Sequence, residues 1–174
     1  MDKQQLLSIC PRAYRVDKYL PLLNKYMSEY KITGVYRESA FIAQILHESG
    51  KFFYTQEIAS GKAYEFRKEL GNTSAGDGVK YKGRGFLQIT GKFNYQKISK
   101  SLGIDFVNKP ELLCLPAYCV ESACWMWVNM GLNILADNQE FKTITRRING
   151  GLNGYADRLS FYNKALKVLK DEKK

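Results

Sequence analysis

Apolar residues recur at steps of three and four along most of this chain, which is the spacing of one buried face of an α-helix. Residues 11–30 carry such a stripe, made of Leu20, Leu23, Tyr26, Met27 and Tyr30. Residues 36–49 carry a second stripe, and Gly50 follows at a position where helices commonly end. The N-terminal part of the chain therefore predicts two amphipathic helices.

The rest of the chain continues this helical pattern with one interruption. Further helices are predicted over residues 63–70, 93–102, 116–130, 140–148 and 154–170. The helix over 116–130 is apolar nearly all round, so we expect it in the core. Residues 71–78 read as a polar loop, and the glycine-rich residues 81–90 suit an extended or turn segment. Few segments alternate as strands do, so the predicted fold class is mainly α.

Length and composition indicate an ordinary globular protein with a sizeable core. The 174 residues are 45% hydrophobic and 25% charged, which suits a single domain, residues 1–174, built as one unit or as two lobes. No run approaches the roughly 18 apolar residues that a membrane span needs. The start of the chain lacks the basic and apolar regions of a secretory signal, so we expect the protein to be held in a cytoplasm.

The net charge of +10 indicates a polyanionic partner. Nucleic acid, anionic lipopolysaccharide and the acidic cell wall all fit that charge. The chain shows no Rossmann, P-loop or zinc-finger pattern and no basic helix with interleaved aromatic residues, which disfavours nucleic acid. A basic amphipathic stretch ends the chain, with Lys164, Lys167, Lys170, Lys173 and Lys174. It either packs as a last helix with solvated lysines or engages anionic envelope surfaces.

The cysteines do not predict a metal site. They stand at positions 10, 114, 119 and 124, no Cys-x-x-Cys occurs, and the only histidine, His47, is remote from them in sequence. Zinc sites need such spacing. We expect reduced, mostly buried thiols and no metal.

Glu48 is the residue with the clearest catalytic potential. It stands at the end of the helix over 36–49, close in sequence to Phe52 and Phe53. The negative end of a helix and apolar surroundings both favour the protonated carboxylic acid that a general acid requires. An exposed glutamate at a helix end remains the alternative on this feature alone.

Glycoside hydrolysis needs a second carboxylate. The candidates are Glu57, Glu65, Glu69 and Asp77. Glu57 follows the break at Gly50, so the chain can fold it across a cleft from Glu48. Glu65 and Glu69 share one face of the short helix over 63–70 and read as a solvated pair.

Polar groups cluster in residues 81–90. Glycines on either side of Arg84 let a backbone approach a ligand closely. Gln88 and Thr90 are two positions apart, so an extended segment would present an amide and a hydroxyl on the same side, suited to a sugar and a water. A glycine-rich turn with capping residues is the alternative. Similarly, Asn149 could cap a helix, Arg158 could be a surface charge, and His47 could be a packing histidine.

Taken together, three ordered motifs resemble glycoside hydrolase family 19, the chitinase-like lysozymes, and in particular its short phage endolysins. The motifs are His47-Glu48-Ser49, then Tyr81-Lys82-Gly83-Arg84-Gly85 through Gln88-Ile89-Thr90 with Asn94-Tyr95, and Thr145 to Gly151 with the later Arg158. The resemblance covers roughly residues 36–166. It implies a lysozyme-like fold with two α-helical lobes around a substrate cleft.

The resemblance also implies roles. Glu48 is the general acid, Glu57 the base that activates water, and Thr90 helps to hold that water. Gln88, Asn94 and Asn149 match sugar-binding positions, and Arg158 matches an arginine in the charge network around the base. The motif residues His47, Tyr81 and Arg84 are also expected at the substrate. The family inverts at the anomeric carbon and uses no metal or other cofactor.

Two departures bear on these roles. Phe93 stands where plant chitinases usually have tyrosine, which removes a hydroxyl contact. The loop between Glu48 and Glu57 is much shorter than in plant chitinases, which predicts a more open cleft and makes Glu57 a weaker match than Glu48.

We therefore expect a monomeric peptidoglycan-degrading endolysin, a muramidase that waits in the host bacterial cytoplasm until a holin releases it to the periplasmic cell wall. A chitinase acting on poly-N-acetylglucosamine and a non-catalytic glycan-binding protein are the alternatives. A toxin delivered between bacteria would use the same chemistry.

Overall fold

The computed structural model describes residues 1–171 and confirms the mainly α class. The helices are α1 (Lys3–Ile9), α2 (Val16–Glu29), α3 (Val35–Glu48), α4 (Asp77–Lys80), α5 (Lys92–Leu102), α6 (Pro116–Asn129), α7 (Leu132–Asp137), α8 (Phe141–Asn149) and α9 (Tyr155–Asp171). Short 3-10 turns occur at Lys62–Tyr64, Lys68–Leu70 and Pro110–Cys114. Within residues 1–171, strand pairing is limited to isolated bridges that join Arg84 to Gln56 and to Ile89.

Two predicted helices differ from the structure. The first begins at Val16 rather than residue 11, after Arg15 in the left-handed region at φ 51°. The predicted helix over 63–70 is instead two 3-10 turns, because Phe66 between them adopts a φ of 56°. Helices α1, α4 and α7 were not predicted. Helix α1 is fixed by a capping box, in which Asp2 and Gln5 each accept a hydrogen bond from the other's backbone amide.

The larger hydrophobic core surrounds α3. This helix packs along α9, while α2 packs against α6. The α3 stripe of apolar residues is completely buried, and Phe41 meets Trp127 of α6 edge to face at 5.3 Å between ring centroids. The burial explains why α3 forms where its apolar periodicity predicts.

A second, smaller core holds the glycine-rich segment and α5. Its buried members are Tyr81, Ile89, Tyr95, Ile98, Phe106, Leu113 and Trp125. Helix α6 contributes to both cores, since Trp127 belongs to the larger and Trp125 to the smaller, and Met126 packs against both. Two lobes thus meet along α6, as the resemblance implied.

The last helix packs its apolar side and leaves lysines in water. Ala165 and Leu169 are buried, whereas Lys164, Lys167 and Lys170 are exposed. Lys173 and Lys174, which the basic-tail hypothesis includes, lie outside the described residues. None of the helices between residues 1 and 171 has the length and apolar character needed to cross a membrane.

Candidate active site

Glu48 is the last residue of α3, and the chain reverses direction directly after it. Lys51 and Phe52 both take positive φ angles, 64° and 70°. The Ser49 hydroxyl accepts a hydrogen bond from the Phe52 amide at 2.8 Å, and the Lys51 amide donates to the Leu46 carbonyl at 2.6 Å. This tight turn ends the helix and leaves the Glu48 side chain 21% exposed.

A buried network holds the Glu48 carboxylate. Arg158 of α9 contacts Glu48 Oε1 through Nη2 at 2.6 Å and donates through Nη1 to Gln44 Oε1 at 2.6 Å. Gln44 Nε2 in turn donates to the Thr145 hydroxyl at 2.9 Å. The Arg158 side chain is only 2% exposed. Helices α3, α8 and α9 are thereby tied together at the carboxylate.

Arg158 therefore does not lie where it was expected. The resemblance placed it in the charge network around the base, Glu57, and among the residues that meet substrate. In the structure it pairs with Glu48, and its burial removes it from direct contact with a glycan. The reason is helix packing: α9 runs along α3, and Gln44 and Glu48 share one face of α3.

Glu57 is placed by pairing between two extended segments. Its amide donates to the Gly83 carbonyl at 2.9 Å, and the Gly85 amide donates to the Thr55 carbonyl at 2.8 Å. Glu57 Oε2 accepts a hydrogen bond from the Tyr64 hydroxyl at 2.9 Å. Its Oε1 is buried and has no hydrogen-bond partner among the described residues. That oxygen is thus not engaged by any other group of the described protein.

Tyr64 keeps its proton beside this carboxylate. Burial, together with the hydrogen bond to Glu57 and the charge of that group, raises the pKa of Tyr64 above its ordinary value. The phenol therefore remains a hydrogen-bond donor at neutral pH. Its donation holds the Glu57 side chain in place.

Gly83 is the point on which three polar side chains converge. A Cβ atom there would contact Gln88 Oε1 and lie 3.1 Å from Thr90 Oγ1 and 3.2 Å from Glu57 Oε2. Gln88 Oε1 is itself buried and without a partner among the residues described. A side chain at this position would have to displace the ends of these three side chains, which glycine avoids.

Glu48 and Glu57 line the same cleft, which has a volume of about 460 Å³. Gln88 and Thr90 lie in its wall, so the structure brings together in one cleft the residues to which the resemblance assigns catalytic and sugar-binding roles. Tyr54, Gln56, Ile58, Ala59 and Tyr64 complete the lining.

The other candidate carboxylates are engaged elsewhere. Glu65 accepts hydrogen bonds from the amides of Gly76 and Val79. Glu69 pairs with Arg67 at 2.6 Å on the surface. Asp77 accepts from the Thr73 and Ser74 amides and contacts Lys92. Burial alone would raise the pKa of Asp77, but the Ser74 amide, Lys92 and the Thr73 amide outweigh burial and hold that pKa below its usual value.

Two predicted substrate-binding residues are structural instead. Tyr81 is 2% exposed, packs beside Tyr95 and donates to the Val107 carbonyl at 3.3 Å. Arg84 is buried and donates to the Lys80 carbonyl at 2.7 Å and to the Tyr95 hydroxyl at 2.8 Å. Tyr81 and Arg84 belong to the motif because they brace the loop that carries Gln88 and Thr90. Sequence spacing alone cannot distinguish such a bracing residue from one that contacts substrate.

His47, Asn94 and Asn149, the other predicted substrate-binding residues, occupy different settings. His47 Nδ1 contacts Asp157 at 2.6 Å. Gly154 packs so closely on the imidazole ring that a Cβ atom at Gly154 would overlap it, and both contacts are those of a packing histidine. Asn94 donates to the Thr90 carbonyl at 2.8 Å. Asn149 ends α8, and its Nδ2 is buried without a hydrogen-bond partner in the part of the chain that the structure describes.

Sequence reasoning missed Tyr54, Gln56 and Tyr64. Tyr64 lies in the 3-10 turn at Lys62–Tyr64, which was interpreted as part of a solvated helix. Gln56 is fixed by its bridge to Arg84 across the fold. No periodicity marks these positions, although aromatic residues flanking a candidate base are a signal that could direct attention to Tyr64.

Comparison with known proteins identifies one family. The sequence model of the chitinase class I family matches residues 36–138. A glycosyl hydrolase family 19 domain-containing protein of Haemophilus influenzae is 33% identical, over 78% of this chain and 81% of the relative. An endochitinase of Arabidopsis thaliana is 39% identical over 70% of this chain and 42% of its own length. This chain thus matches less than half of that plant enzyme.

Solved structures share the fold. Chitinase C of Streptomyces griseus superposes with a TM-score of 0.78 at 23% identity, covering 97% of this chain and 76% of that one. A class IV chitinase of Zea mays superposes with a TM-score of 0.65 at 26% identity, covering 98% and 82%. The family 19 fold expected from the motifs is confirmed. With its cleft and its matching sequence, this chain belongs to glycoside hydrolase family 19.

Proposed function

We propose that this glycoside hydrolase cleaves the β-1,4 bond between N-acetylmuramic acid and N-acetylglucosamine in peptidoglycan, with inversion at the anomeric carbon. The observation that carries the proposal is the placement of Glu48 and Glu57 in one cleft. Glu57 is the one candidate second carboxylate in the described chain that both lines this cleft and keeps a buried oxygen without a partner.

Each group has one step in the mechanism. Glu48 donates its proton to the glycosidic oxygen as the bond to the anomeric carbon breaks. A water held by Glu57, with Thr90 and Gln88 beside it, attacks that carbon from the opposite face. Glu57 takes the proton of this water, and the hydroxyl stays on the sugar. The Arg158 charge stabilises Glu48 when it has become a carboxylate.

Peptidoglycan is favoured as the substrate by charge and by the form of the cleft. The net charge of +10 attracts the enzyme to an anionic envelope. The short connection between Glu48 and Glu57 leaves the cleft open enough for a glycan that carries peptides. We propose that the enzyme acts as a monomeric endolysin, held in the host cytoplasm until a holin admits it to the wall.

A chitinase is the second candidate, because several relatives are endochitinases, among them the Arabidopsis thaliana protein. Release of reducing sugar from purified peptidoglycan, compared with turnover of soluble chitin oligomers, separates the two functions. Faster turnover of chitin would contradict the muramidase proposal.

Glu48→Gln tests whether the cleft is catalytic. The amide cannot donate the proton, so activity should fall by about 100- to 10,000-fold. Helical circular dichroism should be unchanged. Near-parental activity in the folded variant would contradict Glu48 as the acid, and glycan binding without any turnover by the parent would indicate a non-catalytic binding protein.

A further inference from the structure

A second and larger cavity lies beside the catalytic cleft. Its volume is about 720 Å³, and α5 and the C-terminal end of α6 form its walls. Met126 in its lining packs against both hydrophobic cores, so the cavity lies where the two lobes meet. Asn94 also lines it and donates to the carbonyl of Thr90, a residue of the catalytic cleft. The two cavities are therefore adjacent through Asn94 and Thr90.

One polar stripe of α5 faces this cavity. Asn94, Lys97 and Lys100 follow one another at steps of three, so they share a face of the helix. All three line the cavity, as does Ser101. The stripe thus presents two positive charges and an amide to whatever occupies the space.

The opposite wall is apolar with one amide. It is formed by Trp125, Met126, Asn129 and Met130 of α6 and the turn after it. Trp125 is 8% exposed and its indole nitrogen donates to Ser101 at 2.9 Å, which fixes the ring against α5. Trp125 offers a rigid surface on which small apolar groups can pack.

The charges of this cavity are unbalanced. No carboxylate lines it, and neither Lys97 nor Lys100 forms an ion pair within the described chain. The cavity is accordingly suited to a ligand that combines carboxylates with small apolar groups.

We propose that this cavity holds the acidic stem peptide of peptidoglycan while the glycan lies across Glu48 and Glu57. The inference rests on the proposed function and identifies the part of the substrate recognised next to its cleft. A stem peptide hangs from the lactyl group of each N-acetylmuramic acid and carries alanyl methyl groups and free carboxylates. Chitin carries neither, so Lys97 and Lys100 would favour peptidoglycan over chitin.

The test compares one glycan with and without its peptides. Soluble peptidoglycan strands are prepared with stem peptides, and a second portion is stripped by an amidase that cuts the lactyl–alanine bond. The parent enzyme and the Lys97→Gln/Lys100→Gln variant are assayed for kcat/KM on both by release of reducing ends. Lys18→Gln/Lys164→Gln is the matched control, because it removes two exposed charges from α2 and α9, which do not line the cavity.

Removing the two cavity lysines should lower kcat/KM on peptide-bearing strands by about three- to tenfold, the effect of two partly exposed ion pairs. Stripped strands keep only the one lactyl carboxylate that the amidase releases, so the loss on them should be smaller, and the control variant should treat both substrates alike. The loss should shrink at high salt because screening weakens the attraction.

Equal losses on both substrates would overturn the inference and make the cavity a subsite for bare sugar. No loss on either would overturn it as well. A parent enzyme that cleaves chitin oligomers but neither form of peptidoglycan would contradict the proposed function itself, and the inference with it. Assays of the parent enzyme alone therefore distinguish failure of the proposed function from failure of the inference about the lysines.

Discussion

Glu48 and Glu57 face one cleft but depend on different neighbours. Glu48 touches the buried guanidinium of Arg158, which would stabilise the charge left on Glu48 by the proposed proton donation. Glu57 Oε2 accepts a hydrogen bond from the neutral Tyr64 hydroxyl, and Glu57 Oε1 has no hydrogen-bond partner in the described chain. This asymmetry suits an acid that ends the reaction charged and a base that must accept a proton from water.

Replacing the base should stop turnover without unfolding the protein. Glu57→Gln keeps the shape and the hydrogen bond from Tyr64 but cannot accept a proton, so kcat should fall by about 100- to 10,000-fold. Glu65→Gln is the matched control, because Glu65 holds the amides of Gly76 and Val79 rather than the cleft. Reducing-sugar assays on both variants make the comparison; an inactive Glu65→Gln with an active Glu57→Gln would show that the base is misassigned.

Arg158 should contribute far more to stability than a surface arginine with the same contact length. Both Arg158 with Glu48 and Arg37 with Asp137 are 2.6 Å pairs, but the arginine side chains are 2% and 28% exposed. Arg158→Met leaves Gln44 and Glu48 without their partner and should lower the free energy of unfolding by about 3 kcal/mol. Arg37→Met should lower it by less than about 1 kcal/mol. Urea denaturation measures both, and equal losses would show that the buried network has no special weight.

The sequence could select Glu48 and Glu57, which the structure places in one cleft, but it could not predict their partners. Glu48 and Glu57 were found from motif and position. That Arg158 meets Glu48 rather than Glu57 follows from the way α9 packs along α3, which depends on the whole larger core. Tyr81 and Arg84 show the converse, since a motif records residues that hold a loop as well as those that touch a ligand.

At the scale of elements, the segment from Tyr81 to Thr90 shows why its motif is glycine-rich. An extended strand would put Gln88 and Thr90 side by side, as the sequence suggested. Instead, Gln88 lies in the left-handed region at φ 56°. The chain turns between Arg84 and Ile89, which form a bridge with each other. The polar groups converge because Gly83 leaves room for them.

A methyl group at Gly83 should reduce activity without loss of stability. Gly83→Ala would crowd Glu57, Gln88 and Thr90, and misplacement of about 1 Å can lower activity by about 100-fold. Gly103→Ala is the control with the opposite expectation. A Cβ atom at Gly103 would meet open space, but alanine is destabilised by about 1–2 kcal/mol at the φ of 68° that this position adopts. It should lower the melting temperature and leave kcat unchanged. Full activity in Gly83→Ala would mean that the cleft tolerates repacking.

The elements themselves divide by length. Helices α3, α5, α6, α8 and α9 follow from apolar periodicity, because each buries a stripe against a core. The short elements do not: α1 and α7 have too few turns to show a period, and the turns around residues 62–70 depend on the left-handed Phe66. Capping chemistry at Asp2 is the local signal that could have revealed α1.

At the scale of the whole molecule, two cores share α6, and two cavities lie next to each other through the contact of Asn94 with Thr90. The smaller is lined by Glu48 and Glu57, and the larger by two lysines that form no ion pair within residues 1–171. Composition predicted a basic protein with a polyanionic partner, but it could not show where in the fold the charge would bear on the substrate. That information depends on α5 and α6 facing each other across the larger cavity.

Mass spectrometry of digested peptidoglycan tests the central claim most directly. Purified sacculi are digested with the parent enzyme, the products are reduced with borohydride, and the sugar at each new reducing end is identified. Cleavage of the bond between N-acetylmuramic acid and N-acetylglucosamine predicts fragments that end in N-acetylmuramitol, absent from digests with Glu48→Gln. Fragments ending in N-acetylglucosaminitol, or intact sacculi from an enzyme that turns over chitin oligomers, would contradict it.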